Sequence, residues 1–396
     1  MYCNNCGLVL KEEDRYCRRC GFPRSAGGGF SHDARGEMRE GVKAWHRRAY
    51  TEGDSGTGSG ERRNPSVGSQ PVELNWKMIF SGIFKRHTKE EAEEIFICGT
   101  KGTTPSPCAA GADWPRPWLY ARVFLLFALS FFLLWVCCTS LKNVNAMPGL
   151  IVVGAFLASL SSLIFFVELN AWRDVSIYEV IKLFLVGGCA SLVTTLLLFS
   201  ILQVNETNFI GAVLTSIIEE CGKVVVIYFF IKRLKNVHLL NAMLIGACVG
   251  AGFAAFESSG YSFRILMDEE WDGMINDIFL RGVLTPCGHV AWGATSGAAL
   301  VVASKARKTH SGADIFSSPT FLRLFSIPVT LHMIWSSPLS KIAADIHLVP
   351  TLLAIFVWVV VLIFSDMGLT EVSRVEEDER AGGSAGSTRA GLPGNL

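Results

Sequence analysis

In the middle of one long apolar stretch the sequence reads Ile217-Ile218-Glu219-Glu220-Cys221-Gly222-Lys223, two carboxylates and an ammonium where hydrocarbon side chains dominate. Three more ionisable side chains follow in later apolar stretches. Glu257 comes after a run of small residues from Gly246 to Ala255, His289 precedes Ala291, Gly293, Ala294 and Gly297, and His332 precedes Trp335 and Ser336. Carboxylates and imidazoles together can activate water as a general base, stabilise an oxyanion, or hold zinc. Lys223 lies four residues after Glu219, one helical turn along the same face, so the two charges are expected to neutralise each other in part. Glu220 then points about 100° away around the helix and needs another partner.

A second constellation stands at the start of the chain. Cys3 and Cys6 precede Gly7, and Cys17 and Cys20 precede Gly21, giving two CxxCG knuckles. Each tight turn points two thiolates inward, the glycine lets the backbone turn, and the four sulfurs suit one tetrahedral zinc. So short a segment cannot build an apolar core, so a metal ion is its expected staple, with a redox pair as the alternative. Four thiolates leave no open position on the ion. The role expected of this zinc ribbon is therefore structural, or that of an adaptor for a cytosolic protein. The other eight cysteines are scattered, mostly in apolar segments, and read as packing residues.

The elements that must carry the first set are legible from composition. Half of the 396 residues are hydrophobic and only 18% are charged, where a soluble domain would hold nearer a quarter. The net charge of +1 gives no case for nucleic acid as a partner. Residues 1–24 are expected to form the ribbon, and 25–116 a cytoplasmic linker with one or two short amphipathic helices near its end. Residues 117–366 are expected to form a transmembrane domain, and 367–396 a disordered tail. A helix needs about 20 mainly apolar residues to cross a bilayer. Eight stretches qualify, near 117–138, 147–170, 179–202, 208–231, 239–261, 279–304, 321–338 and 346–365. The fold class is thus an all-α polytopic membrane protein of about eight transmembrane helices behind a small zinc ribbon.

Loop charges set the expected orientation. With the N-terminus in the cytoplasm, inner loops hold Arg173, Lys232, Arg233, Lys235, Lys305, Arg307 and Lys308, against Lys142, Arg264, Arg281 and Lys341 outside. This follows the positive-inside rule and puts both termini of a cell-membrane protein in the cytoplasm. No signal peptide precedes the cysteine cluster. An ionised group at mid-bilayer costs about 2.5–3.5 kcal/mol, so two glutamates and a lysine facing lipid would cost on the order of 8–10 kcal/mol. They are expected to face one another in the bundle instead. In alternating helices Glu219, Glu220, His289 and His332 fall at similar depth, with Glu257 nearer the outside.

Glu219-Glu220-x-x-Lys223, Phe256-Glu257-x-x-x-Tyr261, His289 and His332, in that order on successive helices, resemble the PrsW family of intramembrane proteases. That family is related to the CAAX and bacteriocin-processing membrane proteases. The resemblance covers about 120–365, and family members often carry an N-terminal zinc ribbon. It implies that Glu219 or Glu220 activates water, that His289 and His332 position it or stabilise the oxyanion, and that Glu257 assists. It also implies a membrane-anchored substrate of the anti-sigma-factor kind. Members often have Asn or Asp shortly after the last histidine, where this chain has Trp335-Ser336-Ser337. Two histidines and a glutamate could hold a catalytic zinc with a second glutamate as base. Alternatively, glutamate and histidine could act without metal, the version that Lys223 beside Glu219 favours. A proton- or ion-coupled transporter, or a catalytically silent receptor using the ribbon as adaptor, are the readings from other classes.

Overall fold

The computed structural model of the protein describes residues 81–99, 103–104, 115–202, 204, 208–233, 237–268, 271–284, 288–342 and 347–387. The chain divides into two units, Met1–Gly68 and Ser69–Leu396. The expected zinc ligands Cys3, Cys6, Cys17 and Cys20 lie outside the described residues, as does most of the 25–116 linker. Every described regular element is a helix or helical turn.

The short helix α1, Lys89–Phe96, starts at a capping box, in which the Thr88 hydroxyl accepts from the Glu91 amide and the Glu91 carboxylate accepts from the Thr88 amide. There follow α2 (Leu119–Thr139), α3 (Met147–Leu169), and α4 (Ile177–Leu202), which contains a π-helical turn at Leu183–Gly187. Then come α5 (Phe209–Ile231), α6 (Leu239–Met267) and α7 (Trp271–Phe279), the last running into a second π-helical turn, Leu280–Leu284. The remaining helices are α8 (Gly288–Arg307), α9 (Gly312–Phe316), α10 (Pro319–Ser336) and α11 (Leu348–Ser387). Starts are set by side chains that accept the otherwise orphaned first amides: Ser176 for α4, Asn208 for α5 and Ser318 for α10. Glu168, at the end of α3, does the same for α2 from a distance. Its carboxylate accepts from the amides of Trp118, Leu119 and Tyr120 at 2.8, 2.9 and 3.0 Å.

Five of these helices, α2, α3, α4, α6 and α11, are long and apolar enough to cross a membrane, which makes this a multi-pass membrane protein. The other three long helices, α5, α8 and α10, match the expected fourth, sixth and seventh crossings in position. They do not meet the same test of length and composition.

At the centre stands α6, with 94% of its apolar stretch buried. Helices α3, α4, α5, α7, α8 and α11 all pack on it. The approach to α8 is backbone to backbone. A β-carbon on Gly246 would land on the carbonyl oxygen of Gly293, and one on Gly250 on that of His289. Close contact of this kind, open to small residues alone, is how apolar helices associate where lipid removes the usual hydrophobic drive.

The expected disordered tail from 367 onward is corrected over its first part, since α11 continues to Ser387. Leu369 and Val372 are fully buried, and the Glu371 carboxylate is held by Lys305, His238 and the Leu239 amide. Packing and an ion pair stabilise a stretch whose polarity suggested neither.

Candidate active site

Helix α5 delivers three charges to one face of the bundle core. Glu219, Glu220 and Lys223 are 2, 0 and 0% exposed. The ammonium of Lys223 donates to Glu220 Oε1 at 2.6 Å and to His289 Nδ1 at 2.8 Å, while Glu219 Oε2 is 3.9 Å away. The expected pairing of Lys223 with Glu219 is present at this longer distance, and a tighter partner is Glu220, three residues away rather than four. His332 on α10 supplies the further partner that Glu220 needed, its Nδ1 donating to Glu220 Oε1 at 2.9 Å. That bond fixes the ring: with the proton on Nδ1, neutral His332 carries a lone pair on Nε2, 3.6 Å from Glu219 Oε2.

The same reasoning orients His289 on α8. Its Nδ1 accepts from Lys223, so its Nε2 carries the proton and donates to Glu257 Oε2 on α6 at 3.0 Å. Glu257 also accepts from Arg281 Nη1 at 3.2 Å. Arg281 is held by Asp277 Oδ1 at 3.0 Å, and Asp277 by the Ser262 hydroxyl at 3.0 Å. Aromatic rings close the cluster. Lys223 sits 4.4 Å from the centre of the Phe253 ring, and Trp292 stacks on His332 at 4.6 Å while meeting His289 edge-on at 4.8 Å. Cation–π contact and ring stacking hold a lysine and two imidazoles in place without adding further polar atoms.

All five expected catalytic residues, Glu219, Glu220, Glu257, His289 and His332, thus meet with Lys223, Glu257 included despite its expected shallower position. Four carboxylates (Glu219, Glu220, Glu257 and Asp277) face one ammonium and one guanidinium. Two negative charges are left for protons or a cation to meet, and burial in apolar surroundings makes that balance obligatory. Glu219 Oε2 and Glu220 Oε2 are buried and accept no hydrogen bond. A water-activating, charge-stabilising site has these properties.

Residues 176–364 match the family described as PrsW family intramembrane metalloprotease, a stretch that contains every member of the cluster. Comparison with curated proteins and with solved structures finds no match. The family match supports a membrane-embedded peptidase and does not favour the transporter or silent-receptor readings.

The family description implies a metal, and the donor set fits one. One ligand atom from each of Glu219, His289 and His332 lies within 4.8 Å of the other two. Glu219 Oε2 is without a hydrogen-bond donor, and the 3.6 Å between it and His332 Nε2 is close to the roughly 3.4 Å separating two ligands of one tetrahedral zinc. The Glu220–His332 bond is the carboxylate–histidine support that metal-binding imidazoles commonly have. Glu220 meets the charge of Lys223 most closely, and the bond from Lys223 to His289 Nδ1 leaves Nε2 as the one nitrogen of that ring that a cation could take.

Sequence reading missed three contributors. Arg281 was assigned to an outer loop, yet it is part of the cluster through Glu257; its four-residue spacing from Asp277 on a short apolar helix was the available signal. Trp292, three residues after His289, and Phe253, four before Glu257, carried the same helical-face signal. Ser337, which stands shortly after His332 where family members often have Asn or Asp, is spent locally: its hydroxyl donates to the Ile334 carbonyl and accepts from the Leu339 amide.

Proposed function

We propose that the protein is an intramembrane endopeptidase that hydrolyses peptide bonds of membrane-anchored proteins, and that α5, α8 and α10 cross the bilayer with the other five long helices, both termini in the cytoplasm. The observation that carries this reading is the meeting of three carboxylates, two imidazoles and a lysine from α5, α6, α8 and α10 in one buried cluster, with two carboxylate oxygens unbonded.

Roles follow from the bonds. Glu219, whose Oε2 has no donor, is the proton acceptor for the attacking water. Glu220 is held on both sides and acts as a positioning residue, keeping the His332 proton on Nδ1 and its lone pair toward Glu219. Lys223 lets Glu220 stay buried and charged beside Glu219. His289 and Glu257 form a second proton-holding pair, with Arg281 keeping the Glu257 carboxylate fixed. After attack, Glu219 returns the proton taken from water to the departing amine, and His289 stays neutral, its Nε2–H held against Glu257. Where a divalent ion is bound, Glu219, His332 and His289 would hold it, His289 through Nε2 once that nitrogen has given up its proton, and the ion would lower the pKa of a bound water and polarise the scissile carbonyl. Glu257 would then be the carboxylate left to take the water's proton. An anti-sigma-factor-like substrate and a zinc ribbon that recruits a cytosolic protein belong to the proposal through the family resemblance.

The test is co-expression of candidate single-span proteins with the wild type and with Glu220→Gln and His289→Ala. Cleavage by the wild type and loss in both variants is expected, whereas cleavage that persists in both would place the activity elsewhere. Cleavage by purified protein after exhaustive chelation, restored or not by added zinc, then separates the metal-dependent chemistry from the glutamate-only one.

A further inference from the structure

The proposed hydrolysis needs one part more, a hydrogen-bond donor for the carbonyl oxygen as it takes up negative charge. The imidazole protons are already placed, that of His289 on Glu257 and that of His332 on Glu220. Lys223 is drawn to Glu220 and His289, and Arg281 to Glu257 and Asp277. A hydroxyl group stands close by on α5. Thr215 is 5% exposed, and its Oγ1 is buried without a hydrogen-bond partner. A hydroxyl in an apolar helix ordinarily turns back to the carbonyl four residues earlier, as those of Ser191, Ser216 and Thr295 do. The Thr215 hydroxyl is not used in that way.

Helix geometry sets where that hydroxyl lies. Thr215 precedes Glu219 by four residues, which puts the two side chains about 40° apart around α5 and one turn apart along it. Long helical side chains lean back over the preceding turn, so the Glu219 carboxylate reaches toward Thr215 and away from Gly222. Glu219 Oε2 and Thr215 Oγ1 do not bond each other, although both are buried and both lack a partner. One is an acceptor and the other can donate, which is what a water and a carbonyl oxygen, side by side, require. Two more buried hydroxyls lack partners, Thr195 and Ser296, and neither is placed for this. Thr195 lies against Gly222, on the other side of Glu219 along the helix axis. Ser296 is seven residues, or about 10 Å, along α8 from His289. We propose that Thr215 is a further catalytic residue, donating its hydroxyl proton to the scissile carbonyl oxygen. Glu219 takes a proton from water as the water oxygen bonds the carbonyl carbon, and the carbonyl π pair moves onto the oxygen that Thr215 holds. When that pair returns, the C–N bond breaks and Glu219 gives its proton to the leaving nitrogen. The inference rests on the proteolytic reading above and deepens it by adding a residue to the site.

The test compares Thr215→Val, which keeps the shape and removes the hydroxyl, with Thr215→Ser, which keeps the hydroxyl. The substrate is a single-span protein that the wild type cleaves in co-expression, purified and mixed with each full-length variant in detergent micelles. Thr215→Val should lower kcat by about tenfold at least, and on the order of a hundredfold, with KM within about twofold. Thr215→Ser should recover most of that loss. Because the hydroxyl has no partner in the fold, Thr215→Val should also unfold at a temperature no lower than the wild type. A fall in kcat of less than about tenfold, or an equal fall in Thr215→Ser, overturns the assignment. So does a lower unfolding temperature in Thr215→Val, which would give the hydroxyl a structural partner instead. Cleavage that Thr215→Val leaves unchanged removes Thr215 alone and keeps the protease, whereas a wild type that cleaves no single-span protein removes both.

Discussion

Helices α2 and α6 are both long and apolar enough to cross a bilayer, yet 6% of the apolar stretch of one is buried and 94% of the other. The difference lies in the size of the side chains rather than in their polarity. α2 offers Leu125, Leu126, Leu129, Phe132 and Leu133 to its surroundings, all more than half exposed. α6 instead runs through Gly246, Gly250 and Gly252, each packed on the backbone of a neighbour. Apolarity puts a helix in the membrane, and small residues decide whether it stands at the rim or at the centre. Because the centre is where backbones touch, it is also where a fixed geometry of charges can be held. Gly250 rests on the carbonyl of His289, a member of that cluster.

The sharpest way to break that contrast is Gly250→Leu. Its side chain would have to displace α8, so we expect loss of folded protein on size-exclusion in detergent, or a destabilisation of about 3 kcal/mol or more with no residual cleavage. Next is the buried pair. Lys223→Met leaves Glu220 without its cation and should cost about 3–5 kcal/mol, measured by denaturation in mixed micelles. Adding Glu220→Gln should recover most of that stability but none of the cleavage, and additive losses would show that the two side chains do not depend on each other. Arg281→Gln frees the Glu257 carboxylate and is expected to lower kcat about tenfold, a loss of about 1.4 kcal/mol in transition-state stabilisation, with KM little changed. Smallest is Leu129→Ala on the rim helix, expected to change stability by no more than about 0.5 kcal/mol. A cost as large as that of the glycine substitution would contradict the contrast between rim and centre.

The site was more legible than its surroundings. Charged and imidazole side chains in apolar segments have few structural uses, so Glu219, Glu220, Glu257, His289 and His332 stood out one by one and fell at compatible depths. Who pairs with whom was not legible. Helical spacing leaves Lys223 within reach of both Glu219 and Glu220, and the choice was made by His289 from another helix, whose Nδ1 draws the ammonium to that side. Arg281 was misread for a similar reason: a charge near a helix end looks like a loop charge until a neighbouring helix brings Glu257 to it. The helical extension beyond Asp366 was hidden because Glu371 finds its partners 66 and 133 residues away, at Lys305 and His238.

The central claim, that Glu219 activates water at this cluster, is tested most directly by the oxygen in the product. Cleavage of a membrane-anchored substrate by wild-type protein in ¹⁸O-labelled water should place one heavy oxygen in the new C-terminal carboxylate, and Glu219→Gln should yield no such product. Cleavage at the same bond by Glu219→Gln at the wild-type rate, carrying the same label, would contradict the account.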